Sequence, residues 1–67
     1  MDINVGDRFI WHSTSGIDYK IEIVNINDFR EPDMRYALDV WDSDGKSWGD
    51  VIFTGDDFFE YNNLTKI

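Results

Sequence analysis

The stretch Tyr36–Phe53 reads YALDVWDSDGKSWGDVIF, and it predicts one β-hairpin folded about Asp44-Gly45. An Asp-Gly step between alternating apolar residues suits a two-residue type I′ turn, because both central residues of that turn need a positive φ. This turn sets the cross-strand register of the hairpin. The predicted pairs are Trp41 with Trp48, Val40 with Gly49, Asp39 with Asp50, Leu38 with Val51 and Tyr36 with Phe53.

Side-chain alternation sorts this hairpin into two faces. The face predicted to join the core is apolar throughout, with Tyr36, Leu38, Val40, Val51 and Phe53. The opposite face carries Trp41 and Trp48 as a cross-strand aromatic pair, with Asp39 and Asp50 as a neighbouring acidic pair. Such a face is either an ordinary solvated strand surface or a surface for a cation or a basic side chain.

Two further strands are predicted before the hairpin. Arg8–His12 and Asp18–Asn27 alternate clearly, and pairing Trp11 with Tyr19 places His12 opposite Asp18. After Ile23 the apolar phase shifts, which predicts a bulge or a bend that would curl a small sheet. Met1–Val5 is predicted to form a short first strand or an arm.

The remaining segments predict a loop, a helical turn and a closing strand. The polar loop Asp28–Arg35 contains Phe29 and Met34, which either cap the core or lie exposed at a contact, with capping favoured. In Thr54–Asn62, Thr54 followed three residues later by Asp57 resembles a capping box and predicts one or two helical turns. Leu64–Ile67 then forms the last strand.

Five short strands, one of them bent, with a helical turn before the last, resemble the SH3-like small barrels, a group that includes SH3, Tudor and KOW-type modules. The opening Val5-Gly6-Asp7-Arg8-Phe9 adds to this resemblance. The resemblance implies an all-β fold, a five-stranded antiparallel barrel that occupies residues 1–67 as a single domain. No local motif of eukaryotic SH3 domains is evident, so no peptide-binding residue is carried over. The alternative fold is a curled antiparallel sheet packed by a C-terminal helix.

Charge is the strongest functional signal in the composition. Fourteen acidic residues oppose six basic ones in 67 residues, for a net charge of −8. Such a field repels nucleic acids and anionic membranes and attracts basic surfaces, although solubility alone also accounts for it. The chain has no cysteine, no membrane-length apolar run and no secretory signal at its first residues. We therefore expect a cytoplasmic protein that binds neither membranes nor nucleic acid directly.

Catalytic and metal chemistry are not predicted. His12 is the only histidine, and its neighbour Ser13 would point away from it on a strand, so no triad is expected. Asp42, Asp44 and Asp50 suggest calcium, but DSDGKSWGD departs from the EF-hand loop in the positions of its glycine and its last acidic residue. We expect no enzyme, no cofactor and no metal site.

The remaining hypotheses are interactions with proteins. The first is an acidic inhibitor, of the type found among phage and mobile-element products, whose carboxylates imitate nucleic-acid phosphates and block the basic groove of a nucleic-acid-binding protein. The second is a module in which Trp41 and Trp48, with Asp39 and Asp50, hold a basic or methylated peptide side chain. An exposed tryptophan pair would equally serve a homodimer. The predicted partner-binding residues are Asp39, Trp41, Asp42, Asp44, Trp48, Asp50, Asp56, Asp57 and Glu60.

Overall fold

Five antiparallel strands form one open sheet in a computed structural model that describes residues 3–67. The strands are β1 (Arg8–His12), β2 (Asp18–Ile26), β3 (Tyr36–Trp41), β4 (Ile52–Thr54) and β5 (Asn63–Lys66), in the order β4-β3-β2-β1-β5. A 3₁₀ turn spans Pro32–Met34, and helix α1 (Asp56–Tyr61) precedes β5. The predicted five-stranded all-β fold with a helical turn before the last strand is confirmed. Because β4 and β5 lie at opposite edges, the sheet is not closed into a barrel, which agrees with the curled-sheet alternative.

The register of the three central strands follows the alternation in the sequence. Trp11 pairs with Tyr19 and His12 with Asp18 across β1 and β2. The register of β2 against β3 shifts between Ile23 and Asn25, which confirms the predicted bulge.

The core lies on one face of these central strands. Its fully buried side chains are Phe9, Ile21, Ile23, Leu38 and Val40. Helix α1 covers part of this face through Phe59, whose ring lies 5.0 Å from that of Tyr36 and 6.0 Å from that of Phe9. Burial of the Phe59 side chain therefore holds α1 against the sheet, since a helix of six residues has little stability of its own.

The predicted register of the β3–β4 hairpin is wrong by one residue. Leu38 pairs with Ile52, and Ala37 pairs with Phe53. A one-residue shift turns every side chain of a strand to the other face. Ile52 accordingly packs against the core, whereas Phe53, predicted to be a core residue, is 43% exposed, and Val51 is also exposed.

The shift results from the turn and from an irregularity that follows it. Asp42 donates its backbone N–H to Lys46 O (2.9 Å), which encloses a three-residue loop instead of a two-residue one. The carboxylate of Asp42 accepts hydrogen bonds from the N–H groups of Asp44 (3.0 Å) and Lys46 (2.9 Å). Only Gly45 has a positive φ in this loop (82°), and Asp44 does not. The type I′ prediction is therefore wrong, because that turn needs a positive φ at both positions.

The longer turn moves Trp48 out of register with Trp41, and a second irregularity follows it. Trp41 bridges to Ser47 instead. Gly49 has a φ of 90°, and the segment between Ser47 and Ile52 contains more residues than the stretch of β3 opposite it. The predicted Trp41–Trp48 and Asp39–Asp50 pairs are consequently absent from the described ladder.

At the start of the chain an arm is present in place of the alternative strand, whereas the predicted closing strand is confirmed as β5. No strand forms in residues 3–7, where Gly6 N donates to Ile23 O (2.7 Å) and Ile23 N donates to Asp7 O (2.9 Å). Residues 1 and 2 of the predicted first strand lie outside the described residues.

The predicted capping box at Thr54 is wrong, since the N-cap of α1 is Gly55 and no side chain caps it. The Oγ1 atom of Thr54 is instead buried without a hydrogen-bond partner in the described part of the chain. Phe29 and Met34 do not cap the core either, because both side chains are exposed.

Candidate interaction surfaces

Four aromatic side chains from separate segments pack together, and one of them, Phe58, adjoins the buried ring of Phe59. This aromatic cluster consists of Trp11 on β1, Tyr19 on β2, Trp48 before β4 and Phe58 on α1. The ring of Trp11 lies 5.0 Å from that of Tyr19 and 5.2 Å from that of Phe58. Trp48 meets Tyr19 edge to face at 5.3 Å.

Trp48 is the outermost ring of the aromatic cluster, at 45% exposure, whereas the other three are half-buried. Its backbone is fixed on both sides, because Trp48 N donates to Val40 O (2.9 Å) and Gly49 N donates to Ser47 Oγ (3.0 Å). Trp11 is fixed by a hydrogen bond from its Nε1 to Asn62 Oδ1 (3.3 Å). The cluster is thus an ordered platform with one accessible indole ring.

Trp41 lies on the other face of the sheet. It pairs with Lys20 in the β2–β3 ladder and lines a shallow pocket with Arg8, Glu22 and Gly45. Asp39 shares this face, opposite Glu22. The structure therefore separates the two tryptophans that the sequence placed together, and Trp48 joins Trp11 and Tyr19 instead.

Two of the predicted partner-binding carboxylates form hydrogen bonds within the fold. Asp42 holds the hairpin turn. Asp56 accepts hydrogen bonds from the Tyr36 hydroxyl (2.7 Å) and from Arg35 Nη1 (3.1 Å). The other five carboxylates make no ion pair within residues 3–67, and these are Asp39, Asp44, Asp50, Asp57 and Glu60.

The structure brings further acidic residues to α1. At Gly55 the chain passes so close to the 3₁₀ turn that an added Cβ would lie 2.7 Å from Asp33 Cα. This approach sets the 3₁₀ turn beside the start of α1. We call the resulting surface the acidic edge, and it comprises Glu31, Asp33, Asp56, Asp57 and Glu60.

Sequence reasoning missed Glu31 and Asp33 as site residues, because they lie more than twenty positions from α1. Each of the two is exposed, as are Asp57 and Glu60. Arg35 offsets part of the charge through ion pairs to Asp56 (3.1 Å) and Asp28 (3.4 Å). The acidic edge retains a surplus of carboxylates that have no basic neighbour within ion-pair distance in the described residues.

The hydrogen bond between Tyr36 and Asp56 of the acidic edge makes the stability of the fold depend on pH in the alkaline range. The hydrogen bond to Asp56 raises the pKa of Tyr36 above its usual value of 10.0, with burial and the negative charge of Asp56 acting in the same direction. Arg35 opposes the shift. The folded state therefore holds the tyrosine proton more tightly than the unfolded chain does.

We expect the stability that this proton contributes to be present below pH 10 and lost as the pH rises through the folded-state pKa. Urea unfolding measured at neutral and strongly alkaline pH should show a steeper fall for the wild type than for Tyr36→Phe. Tyr61→Phe is the matched control, because Tyr61 is 81% exposed, and it should keep the wild-type slope. Equal slopes for Tyr36→Phe and the wild type would contradict the hydrogen bond to Asp56.

The ring of His12 forms hydrogen bonds that link neighbouring strands of the sheet. Its Nδ1 lies 3.0 Å from Asp18 Oδ1 and its Nε2 lies 2.9 Å from Thr65 Oγ1, so the ring ties β1 to both neighbouring strands. The hydroxyl of Ser13 donates to Ile17 O (2.6 Å) and is not directed at His12.

Among residues 3–67, no group of three acidic, histidine or cysteine side chains is arranged to hold a metal ion. Within the same residues, none of the helices has the length and apolarity needed to cross a membrane.

Comparisons with known protein families, with curated proteins and with solved structures found no match to this chain. The resemblance to SH3-like barrels therefore stays a prediction.

Proposed function

We propose that this chain is an acidic interaction protein that binds a basic surface of another protein through the acidic edge. The observation that carries the proposal is the approach of the 3₁₀ turn to Gly55, which adds Glu31 and Asp33 to the exposed carboxylates of α1. Three of the six basic side chains are meanwhile used in internal ion pairs, namely Arg8, Arg35 and Lys66. The surface charge available to a partner is therefore strongly negative.

The form of this function that we prefer is a decoy for nucleic acid. Exposed carboxylates on an ordered edge offer a basic groove a row of negative charges in place of phosphates. The net charge of −8 would speed the encounter with such a groove and would disfavour direct nucleic-acid binding by the chain itself. A cytoplasmic inhibitor from a phage or mobile element, with no enzymatic activity, fits this role.

The acidic edge predicts a specific response to charge removal. The triple variant Asp33→Asn, Asp57→Asn, Glu60→Gln should bind its partner about tenfold more weakly, since three exposed charge contacts of up to about 0.5 kcal/mol each sum to roughly 1.4 kcal/mol. The measurement is a pull-down from host lysate in which bound proteins are eluted by a salt gradient. A nucleic-acid-binding protein should elute at modest salt from the wild type and earlier from the variant.

The control variant is Asp39→Asn, Asp44→Asn, Asp50→Asn, which removes the same number of charges from positions outside the acidic edge. It should lose less than about threefold in affinity, because only the long-range field changes. Equal losses in the two variants would show that net charge alone attracts the partner. In that case the acidic edge would not be the binding surface.

A second candidate function uses the aromatic cluster. The accessible ring of Trp48, edge to face with Tyr19, provides two walls against which a basic or methylated peptide side chain would pack. Titration with a trimethyl-lysine peptide, followed by tryptophan fluorescence, tests this function. Binding that persists at high salt and is abolished by Trp48→Ala but not by Trp41→Ala would favour it over the decoy.

A further inference from the structure

Phe29 is the most exposed large apolar residue in the described chain. Its side chain is 100% exposed, in the loop between β2 and β3. A chain of 67 residues has a small core, and burial of an aromatic ring is among the larger contributions to its stability. A fully exposed phenylalanine therefore contributes nothing to the stability of the fold.

The backbone that carries Phe29 is held in place by Asn27. The side-chain Oδ1 of Asn27 accepts a hydrogen bond from Phe29 N (2.9 Å), and its backbone oxygen accepts one from Arg30 N (3.2 Å). Asn27 N in turn donates to Arg35 O (2.9 Å), which closes the loop at its base. Phe29 is thus presented by an ordered turn.

Arg30 braces the same loop from within. Its guanidinium donates to Met34 O (3.4 Å) and Arg35 O (3.2 Å), and it also contacts the Oδ1 atom of Asn25. It lies 5.1 Å from the ring centre of Phe53, a cation–π distance. The positive charge next to Phe29 is therefore used inside the loop and does not accompany Phe29 to a partner.

The surroundings of Phe29 carry both apolar and acidic groups. Met34 and Phe53, which Arg30 contacts, are each exposed. Asp28 adjoins Phe29, and Glu31 and Asp33 follow in the same loop. Because Glu31 and Asp33 belong to the acidic edge, one partner would touch both features.

We propose that Phe29 is an anchor that inserts into an apolar socket of the partner protein, and that lysine or arginine side chains border that socket. This inference rests on the proposed function for the basic character of the partner. A rigid aromatic side chain on a pre-ordered loop loses little conformational entropy on binding, and such residues dominate the affinity of many interfaces. The acidic edge would steer the partner, and Phe29 would hold it.

Phe29→Ala should weaken partner binding about 30-fold, which corresponds to an anchor of about 2 kcal/mol. Its urea unfolding curve should match that of the wild type, because a fully exposed ring makes no contact in the fold. Tyr61→Ala is the control, since Tyr61 is an aromatic residue at 81% exposure, and its binding should change less than about threefold.

The probe is the protein itself with the photo-cross-linking residue p-benzoylphenylalanine in place of Phe29, irradiated in lysate of its host cell. The same residue in place of Tyr61 is the reference. The inference is supported if position 29 cross-links a basic protein that position 61 does not, and if Phe29→Ala removes that protein from the pull-down.

The remaining outcomes separate the inference from the function on which it rests. Salt-sensitive binding that Phe29→Ala leaves intact overturns the anchor while the acidic-edge function stands. If Phe29→Ala removes the cross-linked protein from the pull-down, but salt and the acidic-edge variant do not, the anchor stands and the basic partner is refuted. A cross-link only to a second copy of this chain, or none at position 29, overturns the inference.

Discussion

Gly55→Ala is expected to destabilise the protein by about 3 kcal/mol, the upper part of the range for overpacked sites. A Cβ atom at position 55 would lie 2.7 Å from Asp33 Cα and would also collide with the carbonyl oxygen of Pro32. Both obstacles are backbone atoms, so no side-chain rotation relieves them. A domain of this size is stable by only about 3 to 10 kcal/mol. Urea unfolding followed by circular dichroism should therefore show a large fall in the midpoint.

The backbone of Gly55 has a φ of −111°, which alanine adopts readily. Any loss of stability in Gly55→Ala therefore arises from the collision and not from backbone strain. Gly16→Ala is the complementary control. Gly16 has a φ of 86° and no atom within 4 Å of an added Cβ, so its substitution costs only the strain of about 1 kcal/mol. If Gly55→Ala costs no more than Gly16→Ala, the 3₁₀ turn does not pack on the start of α1. The acidic edge would then not exist as described.

Phe59→Ala is expected to cost about 3 to 5 kcal/mol, the usual range for removal of a buried aromatic ring. Phe59 is the one buried residue of α1, and its ring contacts those of Phe9, Tyr36 and Phe58. A helix of six residues does not persist in water without tertiary packing. Much of the variant should therefore be unfolded at 25 °C, with loss of the near-ultraviolet circular dichroism signal.

Tyr61→Ala tests whether the effect of Phe59→Ala arises from burial or from helix propensity. Both substitutions place alanine in the same short helix, but Tyr61 is 81% exposed. We expect Tyr61→Ala to change the unfolding free energy by less than about 0.5 kcal/mol. Comparable losses from the two variants would mean that α1 is not attached to the sheet through Phe59.

The sequence determined those parts of the fold in which residue type and local geometry agree. Alternation in Arg8–His12 and Asp18–Asn27 predicted the β1–β2 register, the pairing of His12 with Asp18 and the bulge after Ile23. These features were predictable because the two-residue period of a strand assigns each side chain to a face without reference to distant residues. The number of strands and the helical turn before β5 followed from the same pattern and its interruptions.

The β3–β4 register was not predictable from the pattern, because two turn geometries fit DSDG almost equally well. The carboxylate of Asp42 accepts two backbone N–H groups and so selects the longer loop. The two extra residues around Gly49 then bring Ile52 opposite Leu38, with Ile52 against the core and Phe53 outside it. A change of one residue at the turn thereby moved Trp48 from its predicted partner Trp41 to the aromatic cluster.

The candidate interaction surfaces were likewise predictable only in part from the sequence. Net charge and the acidic positions of α1 were visible in the sequence, because charge is a sum over residues. Only the tertiary structure decided which carboxylates are free and which are used internally, as Asp56 is by Tyr36 and Arg35. It also decided that Glu31 and Asp33 adjoin α1 and that Phe29 is exposed. These outcomes depend on contacts between segments far apart in the chain, such as that of Pro32 with Gly55, and no local pattern encodes such contacts.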